Sequence, residues 1–269
     1  MFKRNFKSDI ESEIFHAISN CCNETKIECY AIGGFVRDLI IGKNLAKDID
    51  ILVVGSGIEI AKLTAKRLKI GSKITVFKNF GTAMFKYNGY DVEFVGTRKE
   101  SYNKSSRNPI VKPGTLDDDL NRRDFTINTL GISLNKNSWG DLLDKFNGIT
   151  DLENKIIRTP LEPNKTYSDD PLRMMRAIRF SCQLNFTIEE KSLKAITENA
   201  NRLNIISQER ITDELNKIIL SKIPSKGFKL LFNTQLLHQF FPKMVELQGI
   251  EVIDNKGHKD NFYHTLEVL

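Results

Sequence analysis

The sequence predicts an α+β protein, with a mixed sheet and its helices in residues 1 to about 135 and helices from about 170 onward. Short apolar runs that end at glycines predict buried strands in the first part. The Asn88-Gly89 pair, between two tyrosines, predicts a two-residue hairpin turn. In the second part, apolar residues recur at helical spacing, and no internal repeat interrupts this pattern.

The predicted elements follow one another in a simple order. We predict helices at 9–22, 35–41 and 58–69, and strands at 29–32, 49–54, 73–78, 82–87 and 90–95. Further helices are predicted at 173–180, 189–201, 208–220 and 226–238. These elements divide the chain into the ranges 1–135, 136–222 and 223–269. Because the amphipathic segment 262–269 stops without a cap or a breaker, we expect a fragment, or a gene that has lost its 3′ part.

Composition narrows the classes of protein to which the chain can belong. Hydrophobic residues make up 40%, enough for a proper core, and a net charge of +6 with a pI near 9.0 favours a polyanionic partner. The four cysteines form no C-x-x-C pair, so they indicate buried thiols in a reducing compartment. The sequence has no apolar run long enough for a membrane span and no signal-peptide core, so we expect a cytoplasmic protein.

The densest chemical signal is an aspartate pair at the start of a predicted strand. Since alternate residues of a strand point to one face, Asp48 and Asp50 project together while Ile49 and Ile51 face the core. Neighbouring carboxylates repel one another, and Mg²⁺ prefers such oxygen ligands together with substrate phosphates. The pair therefore fits a magnesium site for displacement at phosphorus. The structural alternative is a solvated strand edge, which is common for an isolated D-x-D.

A glycine turn precedes the aspartate pair. Gly33 and Gly34 lie between a predicted strand and a predicted helix, where backbone N–H groups can approach a phosphate. Arg37 lies one turn into that helix and can bind the same triphosphate through its forked guanidinium. The alternative is an ordinary tight turn, with Arg37 paired to Asp38 or another neighbour.

A third carboxylate is expected on a neighbouring strand. Asp91 and Glu93 share one face of the strand after the hairpin, and either could complete the metal site or accept a proton from an attacking hydroxyl. We favour Glu93 because it lies deeper in the strand. A plain exposed face accounts for the pattern almost as well.

Together these residues resemble the class II tRNA nucleotidyltransferase and bacterial poly(A) polymerase family, within the polymerase-β-like superfamily. GGFVRDLIIG at 33–42 and KDIDILVV at 47–54 match the family's first motif. Later motifs are matched, in the family's order, by DVEFVGTRKESY at 91–102, DDDLNRRDFTINTL at 117–130, DLLDKFNGITDLENKIIR at 141–158, DDPLRMMRAIRF at 169–180 and SQERITDELNKIIL at 207–220. The resemblance implies a polymerase-β-like head with a mixed sheet at 1–135, a helical neck at 136–222 and the start of a helical body at 223–269.

The resemblance also implies a role for each matched position. Asp48 and Asp50 would hold the metal ions. Gly33, Gly34 and Arg37 would contact the triphosphate, and Arg123 would also contact the nucleotide. Asp170 and Arg173 would read the base edge, with Arg176 and Arg179 nearby on phosphates or the RNA end.

The proposed base-reading pair is chemically reasonable. A carboxylate accepts a hydrogen bond from the exocyclic amine of cytosine or adenine, and an arginine three residues further along a helix lies beside it. One pair can therefore accept C and A and reject U and G. The structural alternative is that Asp170, before Pro171, only caps a helix. The family usually has Glu at the position of Asp169, which leaves the role of that residue open.

These observations predict an enzyme that adds CCA, or part of it, to the 3′ end of tRNA from CTP and ATP, with Mg²⁺ as cofactor and pyrophosphate as product. Alternatives are a poly(A) polymerase of the same family, addition restricted to CC or A, a different RNA substrate, or a non-catalytic RNA- or nucleotide-binding remnant. HKDNFYHTLEVL at 258–269 resembles the opening of an HD domain, but the later His-Asp pair is missing from the sequence. We therefore expect no phosphohydrolase site, and the oligomeric state stays open.

Overall fold

The computed structural model describes residues 4–43, 47–71, 73–103, 106–249, 252–253, 256–257 and 260–268. The chain forms two compact units. The head unit comprises Met1–Ser101 and Ile110–Glu153, and the helical unit comprises Tyr102–Pro109 and Asn154–Leu269. Residues 258, 259 and 269 of the HD-like segment lie outside the described residues.

The head unit is built on a seven-stranded mixed sheet, as the sequence predicted. Its strands are β1 (Cys29–Ile32), β2 (Asp48–Val53), β3 (Thr75–Phe77), β4 (Thr82–Tyr87), β5 (Tyr90–Gly96), β8 (Gly131–Ser133) and β9 (Leu142–Leu143). They are ordered β3-β4-β5-β2-β1-β8-β9, with β2 and β5 parallel and the other neighbours antiparallel. Strands β6 (Arg98–Asn103) and β7 (Ser106–Pro113) pair separately.

The predicted hairpin is confirmed. Asn88 and Gly89 both have positive φ, and Tyr87 pairs with Tyr90 across the turn. One short strand, β9, lies past residue 135, where the first domain was predicted to end, and it pairs with the short strand β8. Strands of three and two residues leave too little periodicity to be recognised from a sequence.

Helices cover the sheet and close its core. They are α1 (Glu13–Thr25), α2 (Gly34–Ile40), α3 (Gly57–Arg67), α4 (Leu116–Asn121) and α5 (Gly148–Glu153). Helix α3 packs against β2, β4 and β5 and against α1. Leu120 of α4 forms a buried cluster with Ile32 and Leu52 of the sheet. In β2 and β5, apolar residues alternate with polar ones. The apolar residues Ile49, Ile51, Val92 and Phe94 are buried.

The longer segment of the helical unit begins with strand β10 (Ile156–Ile157), which pairs with β11 (Thr187–Ile188). Its helices are α6 (Pro163–Asp169), α7 (Leu172–Leu184), α8 (Glu190–Asn199), α9 (Gln208–Ile219), α10 (Pro224–Asn233), α11 (Leu236–Phe240), α12 (Pro242–Val245) and α13 (Asn261–Val268), and strands β12 (Val252–Ile253) and β13 (Lys256–Gly257) precede the last. The helix predicted at 226–238 is two helices, because Gln235 adopts a left-handed conformation with φ of 64°. Among the described residues, no helix has the length and apolar character needed to cross a bilayer.

Gly57 provides a test of the head's packing. A Cβ atom at this position would lie 2.8 Å from both the Gly96 nitrogen and the Phe94 carbonyl oxygen, closer than backbone atoms tolerate. Gly57→Ala should therefore lower the free energy of unfolding by about 1–3 kcal/mol, the usual cost of overpacking. Urea denaturation measures the change. The control is Lys62→Ala on the exposed side of the same helix, whose stability should stay within about 0.5 kcal/mol of the parent. Equal stability of the parent and both variants would contradict the close packing described for Gly57.

Candidate active site

Four carboxylates lie on one face of two neighbouring strands. In the parallel register of β2 and β5, Asp48 is opposite Asp91 and Asp50 is opposite Glu93. Neighbouring strands lie about 4.8 Å apart, and residues two apart share a face, so the four side chains form one acidic patch. The predicted juxtaposition of an aspartate pair with a third carboxylate is therefore present in the head unit.

Glu93 and Asp91 have different surroundings within this patch. Glu93 lines a cavity of about 190 Å³ together with Asp50. The Asp91 carboxylate instead pairs with the Lys86 ammonium group, with 3.1 Å between Nζ and Oδ1. This difference favours Glu93 as the third carboxylate of the site.

Burial and mutual repulsion disturb the titration of the two carboxylates in the cavity. Burial raises the pKa of Asp50, the negative charge of Asp48 raises it further, and the nearby Arg123 opposes the rise. Burial also raises the pKa of Glu93, followed by the charge of Asp50, while Arg98 opposes the rise. Burial is thus the main cause of both rises, and the charge of a neighbouring carboxylate adds to it.

Gly33 is required next to Asp50. Its φ is 81°, a left-handed conformation, and its N–H donates to the Leu130 carbonyl oxygen at 3.2 Å. A Cβ atom on Gly33 would lie 3.2 Å from Oδ2 of Asp50 and 3.6 Å from Nη1 of Arg123. The glycine turn therefore lies against the carboxylate of Asp50 and the guanidinium of Arg123.

Three arginines line the same cavity as Asp50 and Glu93. They are Arg98, Arg122 and Arg123, and Thr82 and Val95 complete the lining. Asp119, on α4 and fully buried, holds two of them: its Oδ1 accepts from Nε of Arg122 at 2.8 Å, and its Oδ2 lies 3.1 Å from Nη2 of Arg123. Glu100, almost fully buried, pairs with Arg98 at 2.8 Å and with Arg122 at 3.4 Å.

Sequence reasoning identified Arg123 but missed the residues that hold the arginines. Asp119 precedes Arg122 and Arg123 by three and four positions, the spacing at which helical side chains meet. That spacing was the available signal. The pairing of Glu100 with Arg122 bridges two separate elements, and it had no signal in the sequence.

Arg37 is engaged by protein groups. Its Nε donates to Asp38 at 2.9 Å, its Nη1 donates to Asn128 at 2.8 Å, and the side chain is 8% exposed. Asn128 in turn donates to Asp124, the aspartate of the RRD sequence, at 3.0 Å. The structure thus shows the pairing of Arg37 with Asp38 that was the structural alternative.

In the helical unit, Asp170 and Arg173 lie at the junction between α6 and α7. Oδ1 of Asp170 accepts from the backbone N–H of Leu172 at 3.2 Å. Arg173 is buried, and its Nη1 donates to the Thr166 carbonyl oxygen at 3.5 Å. Asp170 therefore satisfies one first-turn N–H of α7, although the N-cap of that helix is Pro171 and not Asp170.

The two further arginines of α7 have unlike surroundings. Arg179 is buried and forms an ion pair with Glu214 of α9, with 3.0 Å between Nε and Oε2, and its guanidinium lies over the Phe180 ring. Arg176 lines a cavity of about 410 Å³ between α7 and α9, together with Arg210. Of the two arginines that the resemblance placed on phosphates or the RNA end, Arg179 therefore forms an internal ion pair and Arg176 lines a cavity.

The carboxylates of the head fit a divalent cation. They offer hard oxygen donors, and a cation would offset the burial and the mutual repulsion that raise the pKa values of Asp50 and Glu93. Within the described ranges, no group of three or more His, Cys, Asp or Glu side chains is arranged as a complete metal cage.

Comparison with known proteins agrees with this geometry. A model of the poly A polymerase head domain matches residues 29–158, so the head unit is a polymerase head domain. A second model, of the probable RNA and SrmB-binding site of polymerase A, matches residues 185–247. The chain belongs to the family of CCA-adding enzymes and poly(A) polymerases.

Individual relatives and structures support the same family. The chain is 39% identical over 211 residues to a CCA-adding enzyme of Lactobacillus helveticus, covering 78% of this chain and 50% of that protein. It is 40% identical over 175 residues to an A-adding tRNA nucleotidyltransferase of Aquifex aeolicus, covering 65% and 21%. The solved structure of a CCA-adding enzyme, apo form II, matches with a TM-score of 0.78 and 28% identity over 98% of this chain and 66% of the other. The chain thus spans about half the length of the curated CCA-adding relative.

The raised pKa of Asp50 predicts that removing its charge stabilises the fold, and that this stabilisation depends on pH. Because the folded-state pKa lies above the unfolded value of 3.8, losing the proton as pH rises past that value destabilises the fold. In EDTA at pH 7, Asp50→Asn should therefore melt at a higher temperature than the parent, and the difference should vanish below about pH 4. Thermal denaturation monitored by circular dichroism at both pH values measures it. A variant that melts lower at pH 7 than the parent would show that Asp50 is stabilised by its surroundings.

Proposed function

We propose that the chain catalyses template-independent addition of nucleotides to the 3′ end of tRNA, adding CCA or part of it from CTP and ATP. The observation that carries the proposal is the cavity in which Asp50 and Glu93 face three arginines. Carboxylates next to a cluster of guanidinium groups suit a nucleoside triphosphate with its metal ions. Membership of a family that contains CCA-adding enzymes supports this choice of reaction.

The residues of the head supply positioning and charge for this reaction. Asp48 and Asp50 would hold Mg²⁺, which supplies charge stabilisation for displacement at the α-phosphate. Arg98, Arg122 and Arg123 would bind the triphosphate and the departing pyrophosphate through charge-assisted hydrogen bonds. The RNA 3′-hydroxyl attacks the α-phosphate, and Glu93, whose pKa is raised, accepts its proton.

The glycine turn completes the phosphate site. The backbone at Gly33 and Gly34 would approach the triphosphate, since it already lies against Asp50 and Arg123. Arg37 is held by Asp38 and Asn128, and its Nη2 lies 3.7 Å from where a Cβ atom on Gly34 would be. We assign Arg37 a positioning role beside the glycine turn.

Base selection is proposed for the start of α7. Asp170 would accept from the exocyclic amine of cytosine or adenine, and Arg173 would donate to the ring. Arg176, which lines a cavity, is the candidate for contact with the RNA. Arg179 is paired with Glu214, so we assign it to fixing α7 against α9.

A second candidate is addition of A alone, or of a poly(A) tail. The A-adding relative of Aquifex aeolicus supports this candidate, because its identity to the chain is similar to that of the CCA-adding relative. Purified chain, tRNA transcripts ending before C, CC or CCA, and each labelled nucleotide in turn distinguish the candidates. Incorporation of C onto the shortest transcript supports CCA addition, while incorporation of A alone supports the second candidate. A chain that binds RNA and incorporates no nucleotide at all would be the non-catalytic remnant.

The carboxylates provide the first test of the proposed reaction. Asp48→Ala or Asp50→Ala should lower the incorporation rate by more than about 100-fold, since a catalytic metal supplies several kcal/mol. Asp91→Ala is the matched control, because Asp91 lies on the same face but pairs with Lys86. Single-turnover incorporation of labelled nucleotide measures all three variants. Residual activity above about one tenth of the parent in either test variant is incompatible with the assignment.

Nucleotide preference provides the second test. Asn at position 170 keeps an oxygen that can accept from the Leu172 N–H, so Asp170→Asn should leave the melting temperature unchanged. Its amide can also donate to the carbonyl of uracil. The ratio of kcat/KM for CTP over UTP should therefore fall by about 5- to 150-fold, the effect of removing base recognition worth about 1–3 kcal/mol. An unchanged ratio with an unchanged melting temperature would mean that Asp170 is only a cap.

A further inference from the structure

A second and larger cavity lies in the head unit beside the carboxylate site. It has a volume of about 580 Å³ and is formed by the ends of β2 and β5, the loop before β4 and the end of β7. Arg98 lines both this cavity and the one that contains Asp50 and Glu93, so the two are neighbours. None of the roles proposed above uses the rest of its lining.

An exposed aromatic ring forms part of this cavity. Phe80 is 56% exposed, although a phenylalanine normally buries its ring. Its backbone is held in place, because its carbonyl oxygen accepts from Nη1 of Arg98 at 3.4 Å and Arg98 is itself fixed by Glu100. A ring on a supported loop at a cavity wall is suited to stacking against a flat ligand.

The charged side chains that line the cavity are basic, so they favour an anionic ligand. Lys78 and Lys112 reach it from two different segments, and neither ammonium group has an ion-pair partner within the described part of the chain. Of the described residues that line the cavity, no side chain is acidic. The combination of lysines with an exposed aromatic ring is the one that proteins use to bind unpaired nucleic acid, with bases stacked on rings and phosphates near ammonium groups.

We propose that this cavity binds an unpaired nucleotide of the RNA substrate, with its base on Phe80 and the flanking phosphates near Lys78 and Lys112. The proposal rests on the proposed function, because it makes the cavity the place where the strand lies next to the carboxylates. RNA is favoured over a free nucleotide for two reasons. Two separated lysines match successive phosphates of a strand, and Arg98 connects the cavity to the site that the 3′ end must reach.

The test measures binding without catalysis. A fluorescein-labelled single-stranded RNA of mixed sequence is titrated with the full chain in EDTA, without nucleoside triphosphate, and anisotropy is recorded. Phe80→Ala should weaken binding by about 5- to 150-fold, the loss expected for one stacked base, and Phe80→Trp should restore it. The matched control is Phe77→Ala, which removes a ring of similar exposure, 43%, outside the cavity lining and should leave affinity unchanged.

The salt dependence of the same titration tests the lysines. The double variant Lys78→Ala/Lys112→Ala should reduce the slope of log affinity against log salt by about 1.4, or about 0.7 for each phosphate that a lysine no longer neutralises. A double variant with the same change in charge on α3, Lys62→Ala/Lys66→Ala, should keep the parent slope. Equal slopes in the two double variants would overturn the proposed binding of phosphates by Lys78 and Lys112.

Two outcomes would overturn the proposal as a whole. One is equal affinity of parent and Phe80→Ala for the RNA, with both proteins folded by circular dichroism. The other is a raised KM for ATP or CTP in Phe80→Ala with RNA affinity unchanged, which would make the cavity a free-nucleotide site. If the parent adds nucleotides to tRNA while Phe80 is irrelevant to binding, only this inference fails. If RNA binding depends on Phe80 but no nucleotide is added, the proposed function fails instead.

Discussion

The head is organised around the repulsion of carboxylates that share one face of the sheet. The parallel register of β2 and β5 places Asp50 opposite Glu93, while Ile49 and Val92 are buried. A slip of one residue would turn the carboxylates into the core, so the apolar residues enforce the geometry of the charged ones. Burial is the largest cause of the raised pKa of both cavity carboxylates, and this arrangement adds to it through the neighbouring charge.

The arginines offset only part of this repulsion. They are themselves held in place by two further buried carboxylates. Asp119 holds Arg122 and Arg123, and Glu100 holds Arg98 and Arg122, so the guanidinium groups form a continuous chain with two carboxylates. Their positions are fixed before any ligand arrives, which is the condition for strong electrostatic stabilisation of a reacting phosphate. Losing either acid would remove a carboxylate partner from two partly buried guanidinium groups, which is costlier than losing an exposed pair.

The sequence was sufficient for features that depend on local periodicity or turn chemistry, and insufficient for the rest. Alternation around Asp48 and Asp50 predicted their shared face, and the Asn88-Gly89 turn predicted the hairpin. The partner of Arg37 across the fold, Asn128, is 91 positions away, and no local pattern specifies such a contact. The break at Gln235 was likewise hidden, because nothing in its side chain demands a left-handed conformation.

Capping and base reading need not compete at Asp170. A carboxylate has two oxygens with about four acceptor sites, and Oδ1 alone meets the Leu172 N–H. The backbone bond fixes the side chain at the first turn of α7, and the Arg179–Glu214 pair fixes that helix against α9. A reader of base edges must discriminate by hydrogen-bond geometry, and geometry is kept best by a side chain that is already held. The cap is thus a means of aiming the carboxylate, and the structural role is a precondition of the proposed selective one.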